Sequence, residues 1–241
     1  MRLCLMFFLL ALSGCVFAWR VPDDFVLRDI TASDFIIRTY QKDTSDAAPV
    51  HIYIEGDGFA FNAYGMPTSN PTPRSSFFRD LAVSDQAPNV VYVARPCQYI
   101  MSPKCDVSDW TDGRFSKRII DNMSAVVRDV SAGRPIVLIG YSGGAMIGGL
   151  LIQNNPDLNV KKWITIAGVL NHSDWTGYFG DSPLTKSQDL SVLPDVPQSH
   201  FVASSDTVVP SELSQRWTSD VGGVIIVPNS THTKFSEFNL F

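Results

Sequence analysis

The feature that most constrains this sequence is an apolar strand followed directly by a serine between glycines. Residues 135–139 form an apolar run, which is typical of a strand covered on both faces of a sheet. Gly140-Tyr141-Ser142-Gly143-Gly144 comes next, and small residues then continue to about Asn154 in a pattern that predicts a helix. Small residues two positions before and after a serine permit a sharp strand-to-helix turn, which presents the hydroxyl at the carboxyl end of the strand. The sequence therefore predicts a nucleophilic serine at one edge of a sheet.

The apolar runs along the rest of the chain alternate between strand and helix patterns. The predicted strands cover residues 25–27, 35–40, 50–54, 89–94, 135–139, 161–167, 199–203 and 224–227. The predicted helices cover residues 74–83, 115–131, about 143–154 and 210–219. Strands separated by helices predict an α/β fold, in which a mostly parallel central sheet has helices on both faces. Functional residues in such sheets gather at the carboxyl ends of the strands.

The composition fits one globular domain. The chain has 241 residues, of which 45% are hydrophobic and 18% charged, and these values suit a single α/β domain with a large core. The formal net charge is −5 and no long basic run occurs, so nucleic acid is not an expected partner, because its phosphates require a basic surface.

The first residues have the pattern of a secretory signal. Arg2 precedes an apolar run over residues 3–12, which is too short for a membrane-spanning helix. Leu12-Ser13-Gly14-Cys15 resembles the bacterial lipobox. We therefore expect a signal peptide over residues 1–14, a lipidated Cys15, a tether over residues 15–24 and a domain over residues 25–241. The alternatives are an ordinary secretory signal with a chance cysteine, or an uncleaved anchor. The resemblance implies a lipid anchor on the periplasmic face of a bacterial envelope, and Val16 in place of aspartate favours the outer membrane.

Two cysteines remain outside this segment. Cys97 and Cys105 are expected to form a disulfide in an oxidising compartment, and the alternative is two free thiols. No metal site is predicted, because two cysteines without a nearby histidine lack the usual four ligands.

A serine hydroxyl needs a base that takes its proton. His232 lies in a polar loop after the last predicted strand and is the preferred candidate. His172, in the loop after the strand over residues 161–167, is the alternative. His51 begins a strand and is expected to point away from the active edge, and His200 lies inside a strand.

The imidazole in turn needs a carboxylate to orient it and to stabilise its charged form. Asp206 directly follows the strand over residues 199–203 and is the preferred acid, although an aspartate here is also a common helix or turn cap. The other candidates in the preceding segment are Asp174, Asp181, Asp189 and Asp195. None of these directly follows a predicted strand.

The serine turn and the Asp206 segment, in the chain order serine, acid, histidine, resemble the α/β-hydrolase superfamily from about residue 25 onwards. Glu55-Gly56-Asp57-Gly58-Phe59 resembles the His-Gly-Gly-Gly-Phe loop of one esterase branch, with Glu55 and Asp57 as departures. The resemblance implies that the backbone N–H groups of Gly143, Asp57 and Gly58 bind the oxyanion of a tetrahedral intermediate. The alternative is a simple tight turn over residues 55–58.

The resemblance implies a serine hydrolase that cleaves a small-molecule or lipid-like carboxylic ester through an acyl-enzyme, without a cofactor. The alternatives are a peptidase or acyltransferase that acts on envelope material, and a non-catalytic envelope-binding lipoprotein of the same fold. A substrate site is expected between a cap over residues 169–197 and a wall over residues 62–76, with Phe59, Phe61 and Tyr64 as candidate lining residues. Arg95 and Arg114 are candidates either for binding an anionic substrate group or for structural ion pairs.

Overall fold

The computed structural model describes residues 19–236 and 238–241. The predicted signal peptide and Cys15 lie outside the described residues. The strands are β1 Val26–Thr31, β2 Ile36–Asp43, β3 Val50–Ile54, β4 Asn89–Val93, β5 Ile136–Tyr141, β6 Val160–Ile166, β7 Gln198–Ala203 and β8 Val224–Val227. The helices are α1 Phe77–Ser84, α2 Lys117–Ser131, α3 Gly143–Asn154, α4 His172–Phe179 and α5 Ser211–Thr218, with a 3₁₀ turn at Val107–Trp110.

All eight strands form one sheet in the order β1-β2-β4-β3-β5-β6-β7-β8. The β1–β2 and β2–β4 pairs are antiparallel, and every other neighbouring pair is parallel. The predicted α/β fold with a mostly parallel sheet is therefore confirmed, and it has the α/β-hydrolase architecture. Because β3, β5, β6 and β7 run parallel, their carboxyl ends meet at one edge of the sheet.

The core lies in two apolar layers, one on each face of the sheet. One layer packs α2 and α3 onto the sheet through side chains such as Met123, Val127 and Leu150. The other includes Phe78 on α1 and Phe201 on β7. Burying one such side chain stabilises the folded state by about 1.5–3 kcal/mol, so the two layers together hold the strand ends in fixed positions.

Several element boundaries differ from the predicted ones because of caps. Helix α2 begins at Lys117 and not at residue 115, since the Ser116 hydroxyl accepts a hydrogen bond from the Ile119 N–H. Helix α4 was not predicted. It begins after Asn171, whose side chain accepts from the Asp174 N–H at 2.7 Å, and it ends at Gly180 in the left-handed conformation. These are ordinary helix start and stop signals inside a segment too short and polar for a clear helical pattern.

Part of the predicted tether packs on the domain. The Trp19 ring lies 4.8 Å from that of Tyr40, and its Nε1 donates to Asp80 at 2.8 Å. Val21 packs against the apolar layer that contains Phe78. Within the described residues, the helices are all too short or too polar to cross a lipid bilayer.

Candidate active site

Ser142 lies at the turn between β5 and α3 in a conformation that side chains rarely adopt. Its φ and ψ are 52° and −122°, and such strain costs on the order of 1–3 kcal/mol. The turn is held by a hydrogen bond from the Ser142 N–H to the Ile166 carbonyl at 3.0 Å. A Cβ atom at Gly144 would lie 2.2 Å from the Ile54 carbonyl oxygen, and one at Gly140 would lie 2.5 Å from the Ala145 Cα. The two glycines therefore let the turn fit between neighbouring segments of backbone.

His232 reaches Ser142 from the loop after β8. Its Nε2 lies 3.1 Å from the Ser142 Oγ. The loop is held in place by the Tyr141 hydroxyl, which donates to the His232 carbonyl at 2.9 Å. The residue beside the serine thus also fixes the backbone of the histidine.

Asp206 lies on the other side of the imidazole. Its Oδ2 is 2.8 Å from the His232 Nδ1, and its Oδ1 accepts from the Val208 and Val209 N–H groups at 2.8 and 2.9 Å. Its side chain is 0% exposed. A carboxylate in this position favours the tautomer that carries the proton on Nδ1, which leaves Nε2 free to accept the serine proton. The structure thus brings together the three side chains predicted as serine, base and acid.

The other histidines lie in different surroundings. His200 is buried between Thr165 and Gln198, and burial lowers its pKa to about 4. His51 pairs with Asp85 near the start of β3, at the opposite edge of the sheet. His172 is buried at the start of α4, where burial lowers its pKa. Of the described histidines, only His232 is hydrogen-bonded to Ser142.

In the described part of the chain, none of the four alternative acids is hydrogen-bonded to the His232 imidazole. Asp174 pairs with Arg216 at 2.7 Å, and Asp189 accepts from the His172 and Ser173 N–H groups. Asp181 and Asp195 are exposed.

Asp57, in the loop after β3, forms ion pairs with two arginines. The Nη1 atoms of Arg95 and Arg114 each donate to one of its carboxylate oxygens at 2.7 Å. Burial raises the pKa of Asp57, but the two guanidinium groups outweigh this effect and hold it below its usual value. A Cβ at Gly143 would lie 2.1 Å from the Asp57 Oδ1, so the carboxylate packs directly against the residue after the serine. Of the two roles expected for Arg95 and Arg114, the structure shows the ion pairs.

The backbone of this loop leaves donors free. Among the described residues, no acceptor contacts the N–H groups of Asp57 or Gly58. Gly58 has φ +66°, and a Cβ there would lie 2.1 Å from the Pro71 carbonyl oxygen, so the loop requires glycine at this position. Gln98 Nε2 donates to the Gly56 carbonyl at 2.9 Å, which connects the loop after β3 to the segment after β4.

The predicted disulfide between Cys97 and Cys105 is present, with a Cα–Cα distance of 5.9 Å. The bond cross-links the two ends of the segment over residues 97–105, which contains Gln98. The Gln98 Oε1 also accepts from the Arg95 N–H at 3.0 Å. This cross-linked segment therefore supports both Asp57, through Arg95, and Gly56, through Gln98.

Glu55 is a site residue that sequence reasoning recorded only as a departure from the esterase loop. It is 2% exposed, and burial raises its pKa to about 7. Its oxygens accept from the Tyr92 hydroxyl at 2.7 Å and from the Gly56 N–H at 2.8 Å. The sequence signal for Glu55 was its position directly after a buried strand. A buried carboxyl group needs hydrogen-bond partners, so this position indicated a residue with specific contacts at the active edge.

A cavity of about 440 Å³ opens onto Ser142 and His232. Its apolar lining consists of Phe59, Ala60, Phe61, Pro73, Phe77, Phe78, Tyr141, Val169, Trp175, Val208 and Val209. The predicted wall over residues 62–76 contributes Pro73, Arg74 and Ser75. From the predicted cap, Trp175 lines the cavity, whereas Leu184 packs into the core and Tyr178 and Phe179 are exposed. Tyr64 is 91% exposed and is not part of the lining, so its predicted role was wrong.

The fold has clear counterparts among solved structures. An α/β serine hydrolase homologue from Coxiella burnetii matches with a TM-score of 0.55 at 15% identity, covering 90% of this chain and 92% of that one. Est1E from Butyrivibrio proteoclasticus matches with a TM-score of 0.59 at 13% identity, covering 86% and 90%. The epoxide hydrolase VrEH1 from Vigna radiata matches with a TM-score of 0.58 at 12% identity, covering 87% and 92%. Neither a protein-family model nor a curated protein sequence matches the chain.

At such low identity, these matches show the fold and leave the reaction open. The fold hosts different chemistries, as a serine hydrolase homologue and an epoxide hydrolase among the matches illustrate. The function has to be argued from the side chains of the site.

Proposed function

We propose that this protein is a serine hydrolase that cleaves a carboxylic ester through an acyl-enzyme. The observation that carries the proposal is the continuous hydrogen-bonded series from Asp206 through His232 to the Ser142 Oγ, with distances of 2.8 and 3.1 Å. An isolated serine is a weak nucleophile, and this arrangement supplies both the base and the group that orients it.

In the proposed reaction, the Ser142 Oγ attacks the ester carbonyl carbon while His232 Nε2 takes the hydroxyl proton. The carbonyl oxygen becomes negative and is bound by the N–H groups of Gly143, Asp57 and Gly58. The carbon–oxygen bond to the alcohol then breaks, and His232 returns the proton to the leaving alcohol. Water repeats the sequence on the acyl-enzyme, which releases the acid and restores Ser142.

The cavity supports an ester with an apolar acyl or alcohol part. Its lining is mainly aromatic and aliphatic, and its volume of about 440 Å³ is within the usual range of about 300–1,000 Å³ for small-molecule sites. No metal or organic cofactor is needed for this chemistry.

We also propose that lipidation of Cys15 anchors the protein to a bacterial envelope, with the domain on the periplasmic face. The lipobox resemblance and the Cys97–Cys105 disulfide both support an oxidising compartment outside the cytoplasm.

The esterase proposal is tested by p-nitrophenyl esters of increasing acyl length. We expect the wild type to hydrolyse at least one of them, and Ser142→Ala to lose about 10³-fold or more in kcat with an unchanged unfolding transition. Ser219→Ala, which removes an exposed hydroxyl at the end of α5, is the matched control and should retain full activity. Activity on amide substrates alone would overturn the ester assignment.

A further inference from the structure

The charged side chains that line the cavity beside Ser142 are those of Glu55, Asp57, Arg74 and Arg114. Arg95 and Arg114 bring two positive charges to the single carboxylate of Asp57. Arg95 is not part of the cavity lining, so Arg114 is the arginine of this pair that reaches the cavity. A guanidinium has five N–H donors, so an arginine that shares one carboxylate with a second arginine has donors left for a further anion.

Arg114 is largely buried but reaches the cavity. It lines the cavity, yet it is only 5% exposed. Only its Nη1 has an acceptor among the described residues, and its buried Nε has none. The Nη2 of Arg114 also has no hydrogen-bond partner among the described residues, so it is a donor available to a ligand or an ordered solvent molecule in the cavity.

The surroundings of Arg114 hold the guanidinium without neutralising it. Its Cζ lies 5.6 Å from the centre of the Phe61 ring and 5.7 Å from that of Trp175, and both rings also line the cavity. Aromatic faces attract a cation and limit its movement, but they leave its in-plane N–H donors available.

A second guanidinium lines the same cavity. Arg74 stacks on the Phe59 ring at 3.3 Å and is exposed. Among the described residues it has no ion-pair partner. A negatively charged molecule in the cavity therefore has two lining guanidinium groups available, those of Arg74 and Arg114.

We infer that Arg114, assisted by Arg74, forms an anion-binding subsite, and that the substrate is an ester bearing a carboxylate or similar anionic group. The inference rests on the proposed serine hydrolase function for its reaction, but the binding it describes can be measured without turnover. An anion held beside Arg114 shares one cavity with Ser142, so it would lie within the reach of a small ester.

The test compares esters matched in size but differing in charge. Mono-p-nitrophenyl succinate carries the anion on the acyl side and is compared with p-nitrophenyl butyrate. The butyrate ester of 4-hydroxybenzoate carries it on the alcohol side and is compared with phenyl butyrate. We expect one of the anionic esters to exceed its neutral partner by at least about tenfold in kcat/KM, the effect of one charge-assisted hydrogen bond.

Three variants locate the effect. Arg114→Gln should bring the ratio of anionic to neutral kcat/KM close to one. Because Arg114 also supports Asp57, Arg74→Gln is the second variant, and it should lower the same ratio about threefold without a change in the unfolding transition. Lys161→Gln removes a positive charge from the start of β6, near the opposite edge of the sheet, and should leave the ratio unchanged.

Calorimetry on Ser142→Ala separates this inference from the function on which it rests. Tighter binding of an anionic ester than of its neutral partner supports the subsite, whether or not the wild type turns over esters. Equal or weaker binding of both anionic esters overturns the subsite, even if neutral esters are hydrolysed. Absence of turnover and of serine labelling in the wild type would instead contradict the proposed function.

Discussion

At the residue scale, the conformation of Ser142 depends on the glycines beside it. Gly144→Ala would push a methyl group to within 2.2 Å of the Ile54 carbonyl, where only backbone can yield. We expect a loss of at least about 2 kcal/mol in the free energy of unfolding, together with a loss of ester hydrolysis. Urea unfolding and a p-nitrophenyl ester assay measure the two effects.

Gly177→Ala is the matched control for that substitution. Gly177 lies within α4, and apart from its chain neighbours and the backbone of its own helix, no described atom lies within 4 Å of the position of an added Cβ. Alanine should therefore stabilise the protein by about 0.5–1 kcal/mol, because it restricts the unfolded chain. Equal effects of the two substitutions would show that close packing at Gly144 is not what holds the turn.

His200 gives a prediction for acid stability. Burial lowers its pKa to about 4, whereas the unfolded chain binds the proton near pH 6.5. Between these values the unfolded state holds more protons, so stability is lost as the pH falls. From about pH 7.5 to about pH 5, we expect the wild type to lose about 2 kcal/mol more than His200→Gln, measured by urea unfolding. If the free energy of unfolding changed with pH in the same way in both proteins, the lowered pKa of His200 would be contradicted.

At the scale of elements, the disulfide segment supports the loop after β3. A cross-link across a segment this short should contribute about 2–3 kcal/mol of stability. We expect a reductant to lower both the unfolding free energy and kcat of the wild type, because Gln98 and Arg95 position Gly56 and Asp57. The double variant Cys97→Ser/Cys105→Ser should have the lower values from the outset and should not respond to the reductant. If the reduced wild type kept both its unfolding free energy and its kcat, the proposal that the disulfide supports the loop after β3 would be wrong.

The sequence predicted the parts of the fold that have strong local signals. Continuous apolar strands and the Gly140–Gly144 turn specify the central sheet and the nucleophile position. The order of strands then brings the segments after β7 and β8 to the same edge, so Asp206 and His232 could also be predicted. Helix α4 could not, because its caps lie in a segment without helical periodicity.

The partners of Asp57 could not be predicted because they come from elsewhere in the chain. Arg95 follows β4 and Arg114 precedes α2, and only the folded chain places both on one carboxylate. From sequence, Asp57 was a departure from the esterase loop and a candidate backbone donor to the oxyanion, and no role was predicted for its side chain. The space for its carboxylate exists because residue 143 has no side chain.

At the scale of the whole molecule, the described part of the domain begins at Trp19, whose ring packs on that of Tyr40. Trp19 is four positions after Cys15 in the chain, a span of at most about 14 Å. A lipid on Cys15 would therefore hold the domain close to the membrane surface.

We expect labelled palmitate to be incorporated into the wild type expressed in a bacterial host, and to be lost in Cys15→Ser. The matched control is Cys4→Ser, which changes a cysteine inside the predicted signal peptide and should still be labelled. Equal labelling of wild type and Cys15→Ser would contradict the proposed anchor.

The central claim is that His232 and Asp206 make one serine reactive, and a fluorophosphonate probe tests it most directly. The probe should phosphonylate the wild type with loss of fluoride, and peptide mapping by mass spectrometry should place the adduct on Ser142. Ser75, which lines the same cavity but lacks a hydrogen-bonded imidazole, should remain unmodified. His232→Ala should slow labelling by about 10³-fold or more. Rapid labelling of His232→Ala, or no labelling of the folded wild type, would contradict the account.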